Sequence, residues 1–230
     1  MENITPKKKR VFPYFCVCIA ILSFVQFLLF YIPNGFFYES TALLLVSSYT
    51  INFLEALFPL LAALIIFLSR DSGIKNKILP CVFISLIRLF YSVPYYYIYY
   101  VSDVFNSAEA IALAFIVSIM FVLFFFLQTF VCIMIMNYTE RRSFNNVEGR
   151  KPASVFDFDN HVNFGIVLSV LFGFIILLVR ECVNTVQYLT ENSGSYRTEE
   201  ILTVVLSYLI IFVFSFINYL IAVFIKNKII

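Results

Sequence analysis

Six apolar blocks constrain this chain more than any other feature of its sequence. They run over 11–32, 50–69, 78–101, 110–136, 162–179 and 201–225. Each is close to the roughly 20 residues that a helix needs to cross a hydrocarbon core about 30 Å thick. Lipid offers no hydrogen bonds, so every backbone N–H and C=O in such a block must be satisfied within its own helix. The sequence therefore predicts an all-α membrane protein, a six-transmembrane-helix bundle. Composition agrees, with 62% of the 230 residues hydrophobic and 13% charged, against about 45–50% and 25% in soluble domains. The stretch 39–49 is also fairly apolar, so the second helix is expected to start near Ser40 and to tilt or project beyond the bilayer.

The first block follows Lys7-Lys8-Lys9-Arg10, as the h-region of a secretory signal would. It is longer than the roughly 7–15 residues of such a region, and no small-x-small site precedes Pro33, so it reads as an anchor that stays. Lys and Arg then set the direction, because they are retained on the cytoplasmic side during insertion. Segments 1–10, 70–77, 137–161 and 226–230 hold four, three, four and two of them, so 13 of 16 share one side. Both termini are expected in the cytoplasm, with 1–10 a basic N-terminus, 11–225 the membrane domain, 137–161 its long cytoplasmic loop and 226–230 a cytoplasmic tail. Arg180, at a helix edge, and Arg197 lie opposite. Tyrosines such as Tyr31, Tyr38, Tyr95 and Tyr188 fall near that outer interface, where an aromatic belt belongs.

Each outward loop ends in polar residues and a carboxylate, at Glu39, Glu109 and Glu199, ahead of a helix that runs inward to Arg70, Arg141 or Lys226. Three like-oriented helical hairpins would share this charge plan after a duplication. Capping and helix-dipole complementation explain it without one and are the simpler account.

Two charges sit inside the blocks, Glu55 and Arg88, and a central charge costs about 2.5–3.5 kcal/mol on insertion scales. At about 1.5 Å per residue, Glu55 lies roughly 22 Å above Arg70 and Arg88 roughly 16 Å above Lys77. Spans two and three are joined by a short loop, so a Glu55–Arg88 ion pair is expected between antiparallel neighbours. Pro59 and Pro94 remove helix donors and are expected to kink these spans. Asn52 and Glu55 on one helix, and Ser85, Arg88, Ser92 and Tyr95 on the other, recur at spacings of three and four residues, so two polar stripes would face each other. Such stripes either hold helices together or line a solute, ion or proton path. Gly165, Ser169 and Gly173 form a small-xxx-small row suited to close helix packing, within the chain or against a second copy. Gln26, Gln128 and Asn218 are expected to make hydrogen bonds between helices.

Five cysteines give neither a disulfide framework nor a CxxC pair. Asp157, Asp159 and the single histidine, His161, alternate at the entry to the fifth span, where a helix cap explains them better than a metal site does. No HExxH, GxSxG, P-loop, GxGxxG or haem-attachment pattern occurs, so neither catalysis nor a cofactor is expected. A net charge of +2 implies no nucleic-acid partner. The expected function is small-solute or ion transport, alone or as the membrane subunit of a transporter whose energy-coupling ATPase is a separate chain. The competing class is a non-transporting membrane scaffold or sensor. The expected location is a bacterial plasma membrane, and the expected contacts are lipid, a second copy or that ATPase.

Overall fold

In lipid, a large apolar side chain gains little by turning inward, whereas a polar one gains partners there. The computed structural model follows that rule. It describes residues 12–25, 28, 41–69, 74–102, 107–143, 161–191 and 198–229. Among these the secondary structure is helical throughout, apart from a turn at Arg88, with no strand. The helices are α1 (Phe12–Val25), α2 (Thr41–Ser69), α3 (Ile74–Ile87), α4 (Leu89–Ser102), α5 (Ser107–Ser143), α6 (His161–Glu191) and α7 (Thr198–Ile229). Leu79, Phe90, Phe212 and Phe224 face outward, while Ser23, Arg88, Ser118, Asn163, Ser169 and Asn218 are buried. Asn76–Ile98, Ala108–Glu140, Val162–Gln187 and Val205–Lys228 are long and apolar enough to cross a membrane, and Phe12–Val25 and Phe53–Leu68 are shorter apolar helices. The chain is a multi-pass α-helical membrane protein.

α2 is the central rod. It packs against α3, α5, α6 and α7, and from Leu57 to Phe67 every side chain is buried, as expected of a helix that is apolar all round. The outer helices are two-faced. On α5, Ile111, Phe115, Ile119 and Met120 point outward, whereas Ala110, Ala114, Ser118, Phe125 and Thr129 are buried. The small residues of that buried face leave room for a neighbouring helix.

One end of the bundle is basic. Lys77 Nζ donates to Asn137 Oδ1 at 2.7 Å and lies 4.4 Å from the centre of the Phe67 ring, while Lys226 Nζ donates to Asn163 Oδ1 at 2.6 Å. The last turns of α2, α5 and α7 therefore meet the first turns of α3 and α6, and these helices alternate in direction. Both lysines are buried, although the sequence placed them in aqueous segments. Their methylene stems pack along apolar surface while an asparagine carbonyl on the next helix takes the ammonium.

Most helices overrun the apolar blocks. α2 begins at Thr41, as the apolar stretch 39–49 suggested. α5 runs on to Ser143, so 137–143 is helix rather than loop. α6 runs furthest past its block, to Glu191. Arg180 thus lies well inside it rather than at its edge. The third block is two helices rather than one. Segment 1–10, the chain from 144 to 160 with Asp157 and Asp159, and the side chains of Gln26 and His161 lie outside the described residues.

Candidate functional site

α5 and α6 touch near the basic end and part further along. At Gly165 an added Cβ would come within 2.7 Å of Thr139 Oγ1 and 3.3 Å of Met136 Cα, whereas at Gly173 it would meet nothing within 4 Å. Two turns of helix separate a packed glycine from an open one. The space between is a cavity of about 400 Å³, bounded by Glu55, Pro59 and Leu60 of α2, Arg88, Phe121, Phe125 and Gln128 of α5, and Ser169, Gly173 and Arg180 of α6. Phe124, Ile175 and Val179 line it too, yet they are more than half exposed and belong to the outward stripes of α5 and α6. Its mouth therefore opens sideways, between those two helices.

The polar wall is built from three elements. Glu55 Oε2 accepts from Arg180 Nη1 at 2.8 Å, with both side chains half-buried. Arg180 stands roughly 22 Å along α6 from Gly165, and Glu55 roughly 21 Å along α2 from Ser69, so the two rise to the same level. Arg88 stands about one helical turn lower and is fully buried. Its Nη1 donates to Ser23 Oγ on α1 at 2.8 Å. Its guanidinium lies 4.9, 5.0, 5.4 and 5.6 Å from the ring centres of Phe58, Tyr91, Phe121 and Phe125, at cation–π distance from all four.

The described salt bridge of Glu55 is with Arg180 on α6, and Glu55 also lies within electrostatic reach of Arg88, the partner expected from the sequence. Both residues reach the same cavity, but the carboxylate bridges α2 to α6 rather than to the third span. The error lay in taking Arg180 for an interface residue because an apolar block ended there.

The expected break at Pro94 is displaced. Pro94 lies inside α4, and the discontinuity is at Arg88, where the Arg88 N–H bonds the Ser85 carbonyl at 3.1 Å and the Arg88 carbonyl accepts from both Tyr91 and Ser92. A proline ring clashes with the carbonyl four residues earlier, here Phe90, so the distortion falls on the turn before it. α2 runs helical through Pro59, which lines the cavity.

The facing stripes divide. Ser85 Oγ turns back to the Cys81 carbonyl at 2.7 Å. Ser92 is buried, and Tyr95 packs its ring on Tyr91 and Tyr96. None of these three lines the cavity; Ser92 and Tyr95 belong to α4, which packs mainly on α5 through Tyr91, Tyr96 and Phe121. The side chain of Asn52 is outside the described residues. In the small-residue row, Gly165 packs as expected, Ser169 Oγ bonds the Gly165 carbonyl at 2.8 Å, and Gly173 faces open space instead of a helix.

The residues that sequence reasoning missed are Arg180 and the four rings around Arg88. Part of the signal was present, since Arg88 with Tyr91 and Phe121 with Phe125 have the three- and four-residue spacings of helical neighbours. The chain matches no protein family, no curated protein and no solved structure.

Proposed function

We propose that this chain is a small membrane transport protein, or the membrane subunit of a multi-chain transporter, and that the cavity between α2, α5 and α6 is its substrate site. The observation that carries the reading is the placement of Glu55, Arg88 and Arg180 on the wall of a cavity of about 400 Å³. That volume is in the range of small-molecule sites, about 300–1,000 Å³. An ion pair serving only to hold helices together needs no open space beside it. Ionisable groups within spans commonly mark solute and proton paths, and interrupted helices are tolerated where they line a cavity. The turn at Arg88 is such an interruption.

In this reading the chain crosses a bacterial plasma membrane six times, α3 and α4 together making one crossing. The crossings form three like-oriented hairpins. The basic end with Lys77 and Lys226 faces the cytoplasm, as do both termini.

The test is reconstitution. Proteoliposomes are loaded with the chain and with whatever copurifies in gentle detergent, and uptake of a panel of radiolabelled organic acids and inorganic ions is measured. At least one solute is expected to move at ten times the rate seen with Glu55→Gln. Absence of flux for every solute, with only regulatory proteins copurifying, would sink the proposal and favour a scaffold.

A further inference from the structure

We infer that the Glu55–Arg180 bridge is a latch across the end of the cavity that faces away from Lys77 and Lys226, and that breaking it opens the cavity to water on that side. The latch presupposes that the cavity is the substrate site and adds the door by which a dissolved solute reaches it.

The two ends of the cavity are closed by different means. Toward Lys77 and Lys226 the barrier is helix packing. Asn163, Gly165, Ile166 and Ser169 of α6 are buried, and at Gly165 α6 lies so close to Met136 and Thr139 that even a methyl group would meet them. Passage there requires two close-packed helices to part.

Toward the other end the packing of α6 runs out. Leu177 is the last described residue of α6 to be buried, and Val183 and Val186 beyond it are more than half exposed. At the level where packing stops, Glu55 Oε2 accepts from Arg180 Nη1 and ties α2 to α6. Among the described residues this is the one hydrogen bond of the Glu55 carboxylate. Half-buried side chains such as these change rotamer far faster than helices separate, so the bridge is the thinner of the two barriers.

The sideways mouth is not a second aqueous door. Phe124, Ile175 and Val179 set it among side chains that face lipid, and a hydrated solute would have to cross hydrocarbon to use it.

Thiol accessibility tests the latch. Gly173 lines the cavity and faces open space, so Gly173→Cys sets a reporter there without meeting a neighbour. The protein, carrying Cys182→Ser, is treated with a membrane-impermeant methanethiosulfonate in intact cells and in inverted membrane vesicles, then purified, and its modification is read by mass spectrometry. The same protein retaining Gly173 accounts for Cys132, which also lines the cavity. With the bridge intact the reporter is expected to react slowly from both sides. Glu55→Gln is expected to raise its rate at least tenfold, and only from the side on which Glu191→Cys, beyond the bridge at the end of α6, is modified. Arg180→Gln serves in its place if that variant does not accumulate. Exchange of the two charges, Glu55→Arg with Arg180→Glu, is expected to return the rate to its starting value, which a general loosening of the fold would not do.

Fast reaction with the bridge intact, no change on breaking it, or a rise from both sides would overturn the latch. A one-sided rise without flux of any solute removes the transport reading and leaves the latch standing, and flux of a solute without that rise does the reverse.

Discussion

Transfer of a guanidinium to the middle of a bilayer costs about 2.5–3.5 kcal/mol on insertion scales, and a desolvated cation over an aromatic face recovers roughly 2 kcal/mol. Four rings within 5.6 Å of Arg88, together with the hydrogen bond to Ser23, are of the right order to offset its burial. Among the described residues Glu55 makes one salt bridge, with Arg180. Breaking that pair with Glu55→Arg or Arg180→Glu alone is expected to cost roughly 1–2 kcal/mol, the scale of a polar contact between spans. The exchange of both should recover most of it in detergent melts. The exchange of Glu55 with Arg88 should recover nothing, because an acid at position 88 would meet the negative faces of four rings. Rescue by the second exchange and not by the first would refute the pairing.

Helices α5 and α6 owe their shape to the difference between two glycines. Gly165→Ala places a methyl against Thr139, whose hydroxyl is held by the Met136 carbonyl at 2.9 Å, and such overpacking costs about 1–3 kcal/mol. Gly173→Ala meets nothing and gains the helix propensity that glycine lacks, about 0.5–1 kcal/mol. Thermal unfolding of the two variants is expected to shift in opposite directions, and a loss of stability in both would mean that the cavity closes. The helices themselves were legible in the sequence, because apolar length is a local property. Apart from the early start of α2, their overruns were not, since an apolar window stops at a charge such as Arg180 whether or not the charge has a partner. The facing of helices was least legible. A three- or four-residue spacing shows that Ser92 and Tyr95 share a side with Arg88, but not that this side turns to α5 instead of α2. The small-residue row meets a neighbouring helix of the same chain at Gly165 and none at Gly173, as one helix cannot report where its neighbour diverges.

At the scale of the molecule, the inversion of polarity and the basic end were both foreshadowed. Polar side chains inside and large apolar ones outside are what lipid demands, and Lys77 and Lys226 gather at one end as the count of basic residues implied. The proposed direction across the membrane is open to a chemical test. Cys16, Cys81 and Cys132 are buried, and Cys18 is exposed on the apolar helix α1. Cys182 is exposed on α6, beyond Arg180. Cys182 falls inside the candidate span Val162–Gln187, so the reporter is Glu191→Cys at the end of α6. An impermeant maleimide is expected to modify it in intact cells, and modification only after permeabilisation would reverse the orientation.

The ring cage around Arg88 also dictates an order of assembly. Ser23 and Phe58 are synthesised before Arg88, but Phe121 and Phe125 follow it by the length of a helix. When α3 and α4 first reach the membrane, half of the surroundings that make the arginine tolerable has yet to be made. The middle of the chain is therefore expected to gain its full stability in the bilayer only once α5 has been made.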